Sequence, residues 1–180
     1  MSKKTFLIKL FEVMAFSIFF ITAASHAAQY YDQYPGNGFL PKSESLSYNR
    51  SCENGSLYHN DTSLADYNCP VNFNVPDGAA YFIKSIGIRY LDNLSNGFIE
   101  VILMRKNLYT GAAHTVASWS CGSSEASSFD QTASQGTNAG YKLVDTKKFS
   151  YWLIVSFYTE GSVNPSFNLK LYQVRIHYGT

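Results

Sequence analysis

The stretch "YFIKSIGIRYLDNLSNGFIEVILMR", Tyr81 to Arg105, decides the fold class. In its first part, Tyr81–Leu91, the residues Phe82, Ile86, Ile88 and Tyr90 fall on one face of an extended chain. That is the period-2 pattern of a half-buried β-strand. "DNLSNG", Asp92–Gly97, has the composition of a turn. "FIEVILMR", Phe98–Arg105, is then apolar almost without interruption, which suits a central strand covered on both faces. Two strands thus follow one another across a short polar turn.

Moving outward, the same grammar recurs. "SLSYNR" (Ser45–Arg50) and "VNFNV" (Val71–Val75) alternate, and the second ends in the turn Pro76–Gly78. "HTVASWS" (His114–Ser120) sets Thr115, Ala117 and Trp119 on one face, and "SSFDQT" inside the Ser-rich run 121–140 reads as a short edge strand. "YKLVD" (Tyr141–Asp145) leads to "FSYWLIVSFY" (Phe149–Tyr158), the most apolar stretch outside the leader. In the final "SFNLKLYQVRIHY", Phe167, Leu169 and Leu171 share one parity while Val174, Ile176 and Tyr178 share the other. A strand of period 2 changes parity only through a bulge or bend, here near Tyr172–Gln173. About eight strands joined by short turns predict an all-β chain: a single antiparallel β-sandwich, jelly-roll-like, spanning 44–180. Residues 28–43, with Pro35, Gly36, Gly38 and Pro41 among four aromatics, read as an irregular arm docked on the body.

Composition agrees. The 180 residues include 14 Tyr and 13 Phe, and aromatics reach 16% against 15% charged. Such residues favour pleated, half-buried surfaces.

The first 27 residues have the three-part plan of a signal peptide: Lys3, Lys4 and Lys9, an apolar run from Leu10 to Ala24, and Ser25-His26-Ala27 at the cut. The uninterrupted apolar part, Val13 to Ala24, is shorter than the roughly 20 residues a spanning helix needs. The chain is therefore expected to be secreted or periplasmic, with no membrane span in the mature part. Cleavage takes three Lys and one Glu, leaves 11 basic and 12 acidic groups, and moves the net charge from +1 to −1. No basic run appears, so nucleic acid is not an expected partner.

Export also governs the cysteines, because disulfides are the default in an oxidising compartment. Cys52 and Cys69 stand 17 residues apart around a polar loop, and closing it would contribute about 3 kcal/mol in the chain-entropy model. This pairing is the favoured one, with Cys121 the third cysteine and its pairing with either of the others left open. Zinc on Cys52, His59 and Cys69 lacks a fourth ligand and paired spacing. Calcium on Asn54, Asn60, Asp61 and Asp66 lacks the ordered ladder of a calcium loop. No metal and no cofactor is therefore expected. Cys121 in "SWSCGSS" lacks the arrangement of a thiol protease, no G-x-S-x-G is present, and Glu100, the acid that alternates with Ile99 and Val101 inside a strand, has no assignable carboxylate partner.

"VPDGAAYFIKSIGIRYLDNLSNGFIEVILMRKN" (Val75–Asn107) and "YQVRIHY" (Tyr172–Tyr178) resemble segments of a group of secreted bacterial β-sandwich proteins without an assigned activity. The resemblance covers about 40 of the 153 mature residues, and implies fold and export but no catalytic residues. Together these readings predict an exported, non-catalytic binding module for carbohydrate or a protein surface. Its expected contact residues are Tyr58, Tyr109 and Trp119, since such aromatics give contact area at low entropic cost. An envelope- or pilus-type structural subunit is the alternative, and a secreted hydrolase the third.

Overall fold

The computed structural model describes residues 29–42, 50–51, 55–58, 64–76, 80–94, 97–121, 131–159 and 169–180. The expected signal peptide, and Cys52, Asn54, His59, Asn60 and Asp61, lie outside the described residues.

Among the described residues twelve strands follow one another: β1 (Gln29–Pro35), β2 (Leu40–Pro41), β3 (Arg50–Ser51), β4 (Ser56–Tyr58), β5 (Ala65–Val71), β6 (Tyr81–Asp92), β7 (Gly97–Asn107), β8 (Ala113–Ser120), β9 (Gln131–Gly136), β10 (Leu143–Val144), β11 (Phe149–Thr159) and β12 (Leu169–Gly179). They form two antiparallel sheets. One has five strands in the order β2-β5-β11-β7-β8; in the other, of seven, β6 and β12 pair centrally, β9 and β10 flank β6, β1 and β4 flank β12, and β3 lies beyond β4. The sheets share one apolar interior, to which β6 and β12 bring Ile83, Ile86, Ile88, Leu171, Val174 and Ile176, and β7 and β11 bring Ile99, Val101, Leu103, Leu153, Val155 and Phe157. The all-β sandwich read from the sequence is the fold found.

Alternation explains most of the burial. In β7 every inward residue from Gly97 to Arg105 is buried, and Phe98, Glu100, Ile102 and Met104 between them are half-buried. The parity change in the last strand is present as a bulge: Leu171 faces Tyr90 and Gln173 faces Arg89, so Tyr172 is the extra residue. Sequence reading missed a second bulge. His177 faces Ser85 and Tyr178 faces Ile83, so Lys84 is inserted in β6, parity flips there, and Phe82, expected inside with Ile86 and Ile88, is 38% exposed.

Two expectations differ more. The arm 28–43 is not irregular throughout: β1 pairs with β12 from Gln29↔Gly179 to Pro35↔Gln173. Beyond it, Gly36 is buried where a Cβ would collide with the backbone of Leu171 and Leu57, which locks the arm to β12 and β4. The Cys52–Cys69 stretch is not one surface loop either, because β4 joins the seven-stranded sheet and β5 the five-stranded one. The expected Cys52–Cys69 disulfide is not seen among the described residues, outside which Cys52 lies. Cys69 has a free thiol at an inward position of β5, 7% exposed. A buried cysteine there behaves as a small apolar side chain. Cys121 is likewise a free, buried thiol.

Among the described residues no helix is long and apolar enough to cross a membrane.

Candidate ligand-binding face

The outer face of the seven-stranded sheet carries the candidate site. Register places its side chains in three rows across neighbouring strands. Tyr31, His177, Ser85 and Gly136 form the first, and Gln33, Arg175, Gly87 and Ser134 the second. The third holds Pro35, Gln173 and Arg89. Gly87 leaves a gap in the middle row. There the surface opens into a groove of about 360 Å³ lined by Gly87, Ile88, Arg89, Ala133, Gln173 and Arg175. A Cβ on Gly87 would meet nothing nearer than 3.9 Å, so backbone crowding does not require the glycine.

The walls are braced. The Arg89 guanidinium lies over the Tyr172 ring at 5.3 Å, and that of Arg175 over the Tyr31 ring at 5.7 Å. Tyr172 is the bulged residue of β12, and re-aiming a side chain is what such a bulge does. Tyr31, 52% exposed, stacks on His177 with centroids 4.6 Å apart and planes 12° from parallel. The Gln173 amide donates to Gln33 Oε1 at 2.7 Å. Around the open floor the face thus offers planar hydrogen-bonding groups, the supported guanidiniums of Arg89 and Arg175, and the exposed Tyr31 ring.

The opposite face, outside the five-stranded sheet, has another chemistry. Phe98, Ile102, Met104, Trp152, Ile154 and Tyr158 are half-buried there, with Phe98 and Tyr158 5.2 Å apart. Ser156 faces Glu100 on one side and Asp66 on the other. Its hydroxyl donates to Asp66 Oδ1 at 2.7 Å, and Lys42 Nζ binds Asp66 Oδ2 at 3.1 Å. Asp66 is therefore committed to structure, which argues against its acting with Glu100 as an acid–base pair.

The residues singled out by sequence fall apart in space. Trp119 points inward from β8 and packs on Tyr90 of the other sheet at 4.7 Å. Tyr109 stands 80% exposed in the β7–β8 turn, its N–H donating to Asn107 Oδ1 at 2.9 Å. Tyr58 is half-buried on β4 opposite Lys170, on the outer face of the seven-stranded sheet. Cys121 is 3% exposed; burial first, and a hydrogen bond to Asp92 second, push its thiol up well beyond the usual thiol range. At neutral pH it is a protonated thiol, a poor nucleophile. Arg105 is also structural, held between the rings of Tyr141 at 4.6 Å and Phe149 at 4.2 Å. Arg89, Arg175 and Gly87 escaped sequence reading; the only signal they gave was a glycine flanked by isoleucines within a strand, which can mark close approach or open space.

No protein-family model matches the chain, and no curated protein matches it either. Among solved structures, the chain is similar to the C-terminal CBM6 of LamC, a marine laminarinase from Zobellia galactanivorans, at 14% identity over 82% of this chain and 98% of that one, with a TM-score of 0.47. It is similar to the xylan-binding module CBM15 at 11% identity over 83% and 97%, with a TM-score of 0.47. It is also similar to a chain of infectious bursal disease virus, Gx strain, at 8% identity over 86% of this chain and 32% of that one, with a TM-score of 0.44. At these identities and scores the likenesses do not select a function.

Proposed function

We propose that the chain is an exported, non-catalytic binding module that recognises carbohydrate through the groove over Gly87. The observation that carries this reading is the groove itself: an open floor where a strand residue lacks a side chain, walled by Arg89, Arg175 and Gln173, with the exposed Tyr31 ring in the adjoining row. Sugars present hydroxyls, which pair with amides and guanidiniums, and flat C–H faces, which lie against aromatic rings. Sites that orient a ligand combine a few placed polar groups with such a surface. Of the contacts expected from sequence, Tyr58 shares this sheet face and stays in the reading, while Tyr109 and Trp119 stand apart from the groove.

The test is retardation of residues 28–180 in gels containing soluble polysaccharides, followed by calorimetry on any glycan that retards. Binding to at least one glycan, weakened at least tenfold when Gln33 and Gln173 are both changed to Ala, is the expected result. Retardation by none, or binding indifferent to that double change, would sink the reading. Export is checked separately: mass spectrometry of protein from the expressing culture should find a chain beginning at Ala28.

A further inference from the structure

We infer that the groove takes an acidic glycan, one whose sugars carry carboxylate or sulfate groups; this deepens the carbohydrate reading above and rests on it. The outward positions of the seven-stranded sheet include Lys84, Arg89, Lys170 and Arg175, and no acidic residue stands at a described outward position of β1, β4, β6, β9, β10 or β12. The acids of β1 and β6, Asp32 and Asp92, sit at inward positions. With the leader removed, the chain carries no excess of positive charge. Folding therefore gathers cations on one face of a chain that is not basic overall.

Placement at the groove is more specific than charge. Arg175 faces Gly87, and Arg89 stands two residues further along β6, opposite Gln173. Diagonal neighbours of this kind lie about 7–8 Å apart at the backbone, so two guanidiniums approach one opening from adjacent strands. Both are arginines, whose planar forks match the two oxygens of a carboxylate or sulfate. Each also lies over a tyrosine ring, which limits the freedom lost when it engages an anion. Four cations on a face are few for a nucleic acid ligand, which is typically held by about 6–10 phosphate contacts. A sugar acid needs only one charged group per site, with its hydroxyls left for Gln33 and Gln173.

The experiment compares binding of residues 28–180 to polygalacturonate, its methyl-esterified form, dextran sulfate, neutral dextran and a poly(dT) oligonucleotide, at low and high salt. Expected is binding to polygalacturonate or dextran sulfate that weakens with salt and is absent for the methyl ester. Arg175→Gln and Arg89→Gln should each weaken it about ten- to hundredfold, the range for losing a hydrogen bond to a charged partner. Polygalacturonate alone would identify carboxylate as the group read; dextran sulfate as well would extend it to sulfate, and both results support the inference. Equal binding of the ester and the acid, unchanged in Arg175→Gln, overturns the inference but leaves the carbohydrate reading standing. Binding to no glycan, or to poly(dT) alone, overturns both. If Arg89→Gln fails to fold by circular dichroism, Arg175→Gln and the ester comparison still decide.

Discussion

The two outer faces of this sandwich rest on the same interior and on strands of matched length, but they spend their outward positions differently. Outside the five-stranded sheet, β7 and β11 run in register over eleven pairs and place Phe98 beside Tyr158, Ile102 beside Ile154 and Met104 beside Trp152. Apolar pairs directly opposite one another stabilise a sheet by roughly 0.2–1 kcal/mol each relative to alanines. Outside the seven-stranded sheet, β6 and β12 pair Arg89 with Gln173, Gly87 with Arg175 and Ser85 with His177. That set is polar, and one member has no side chain. A face that leaves a gap in its middle row while bracing its arginines on rings leaves room for contact with something else. The first face serves the fold; the second is the one proposed to serve a ligand.

Breaking the comparison outright requires filling the gap. Gly87→Trp places a large ring on the groove floor without backbone conflict, since even the added Cβ stays 3.9 Å from its neighbours. Glycan binding should fall by at least about a hundredfold, which corresponds to roughly 2.7 kcal/mol, with the melting temperature unchanged within a degree or two. Calorimetry and thermal melts on the same preparation read both quantities. Intact binding would return the ligand to some other surface.

The mirror-image change is Trp152→Ala on the five-stranded face. Its side chain is half-buried in register with Met104 and Pro70, so its removal should cost about 2 kcal/mol of stability, below the 3–5 kcal/mol typical of full burial. Glycan binding should be untouched. Urea unfolding gives the first number, and a binding defect without a stability defect would reverse the roles assigned to the two faces.

Sequence patterning made the inner faces legible and the outer ones obscure, for a physical reason. Inward residues must be apolar, so parity shows through, and the Tyr172 bulge could be read from a parity change between Leu171 and Val174. Lys84 was harder: Phe82, Ile86 and Ile88 happen to share a parity across it, so the pattern looked continuous. β5 was hidden because its inward residues are Ala65, Tyr67, Cys69 and Val71, two of them weak hydrophobes, with Pro70 between. β1 was masked by the Pro and Gly residues that follow it. The groove could not be found at all, because polar outward residues read as solvated and only strand order, which no single sequence states, brings Gln33, Arg175 and Gly87 into one row. Trp152 was hidden by the opposite problem, since both parities of β11 are apolar.

A smaller effect sharpens the seven-stranded face by itself. Tyr31→Ala removes the ring beneath the Arg175 guanidinium and the stack on His177. An exposed cation–π contact contributes about 0.5–1 kcal/mol, so binding should weaken roughly two- to fivefold while stability barely changes. Tyr31→Phe keeps the ring and should bind as wild type. A loss of equal size in both variants would mean that the hydroxyl, and not the platform, makes the contact.

The smallest expected effect lies on the reverse side of the strand that carries Tyr31 and Gln33. Asp32 points toward the interior, opposite Ile176, where burial raises its pKa above the ordinary 3.8 and a hydrogen bond from Tyr178 partly offsets the rise. A raised carboxyl pKa means that the folded chain binds more protons than the unfolded chain once the pH exceeds 3.8. Stability assisted by the neutral acid is thus complete below that pH and is lost as the pH climbs through the raised value, leaving a deficit at neutrality. Asp32→Asn keeps a hydrogen-bond acceptor for Tyr178 and removes the charge. The variant should match wild type near pH 3 and be the more stable of the two at pH 7, by a margin kept small because solvent still screens this site. Denaturant melts of both proteins across that range measure the difference directly, with every other carboxylate cancelling. A variant less stable at pH 7 would mean that the charged acid serves the docking of β1, and with it the edge of the groove.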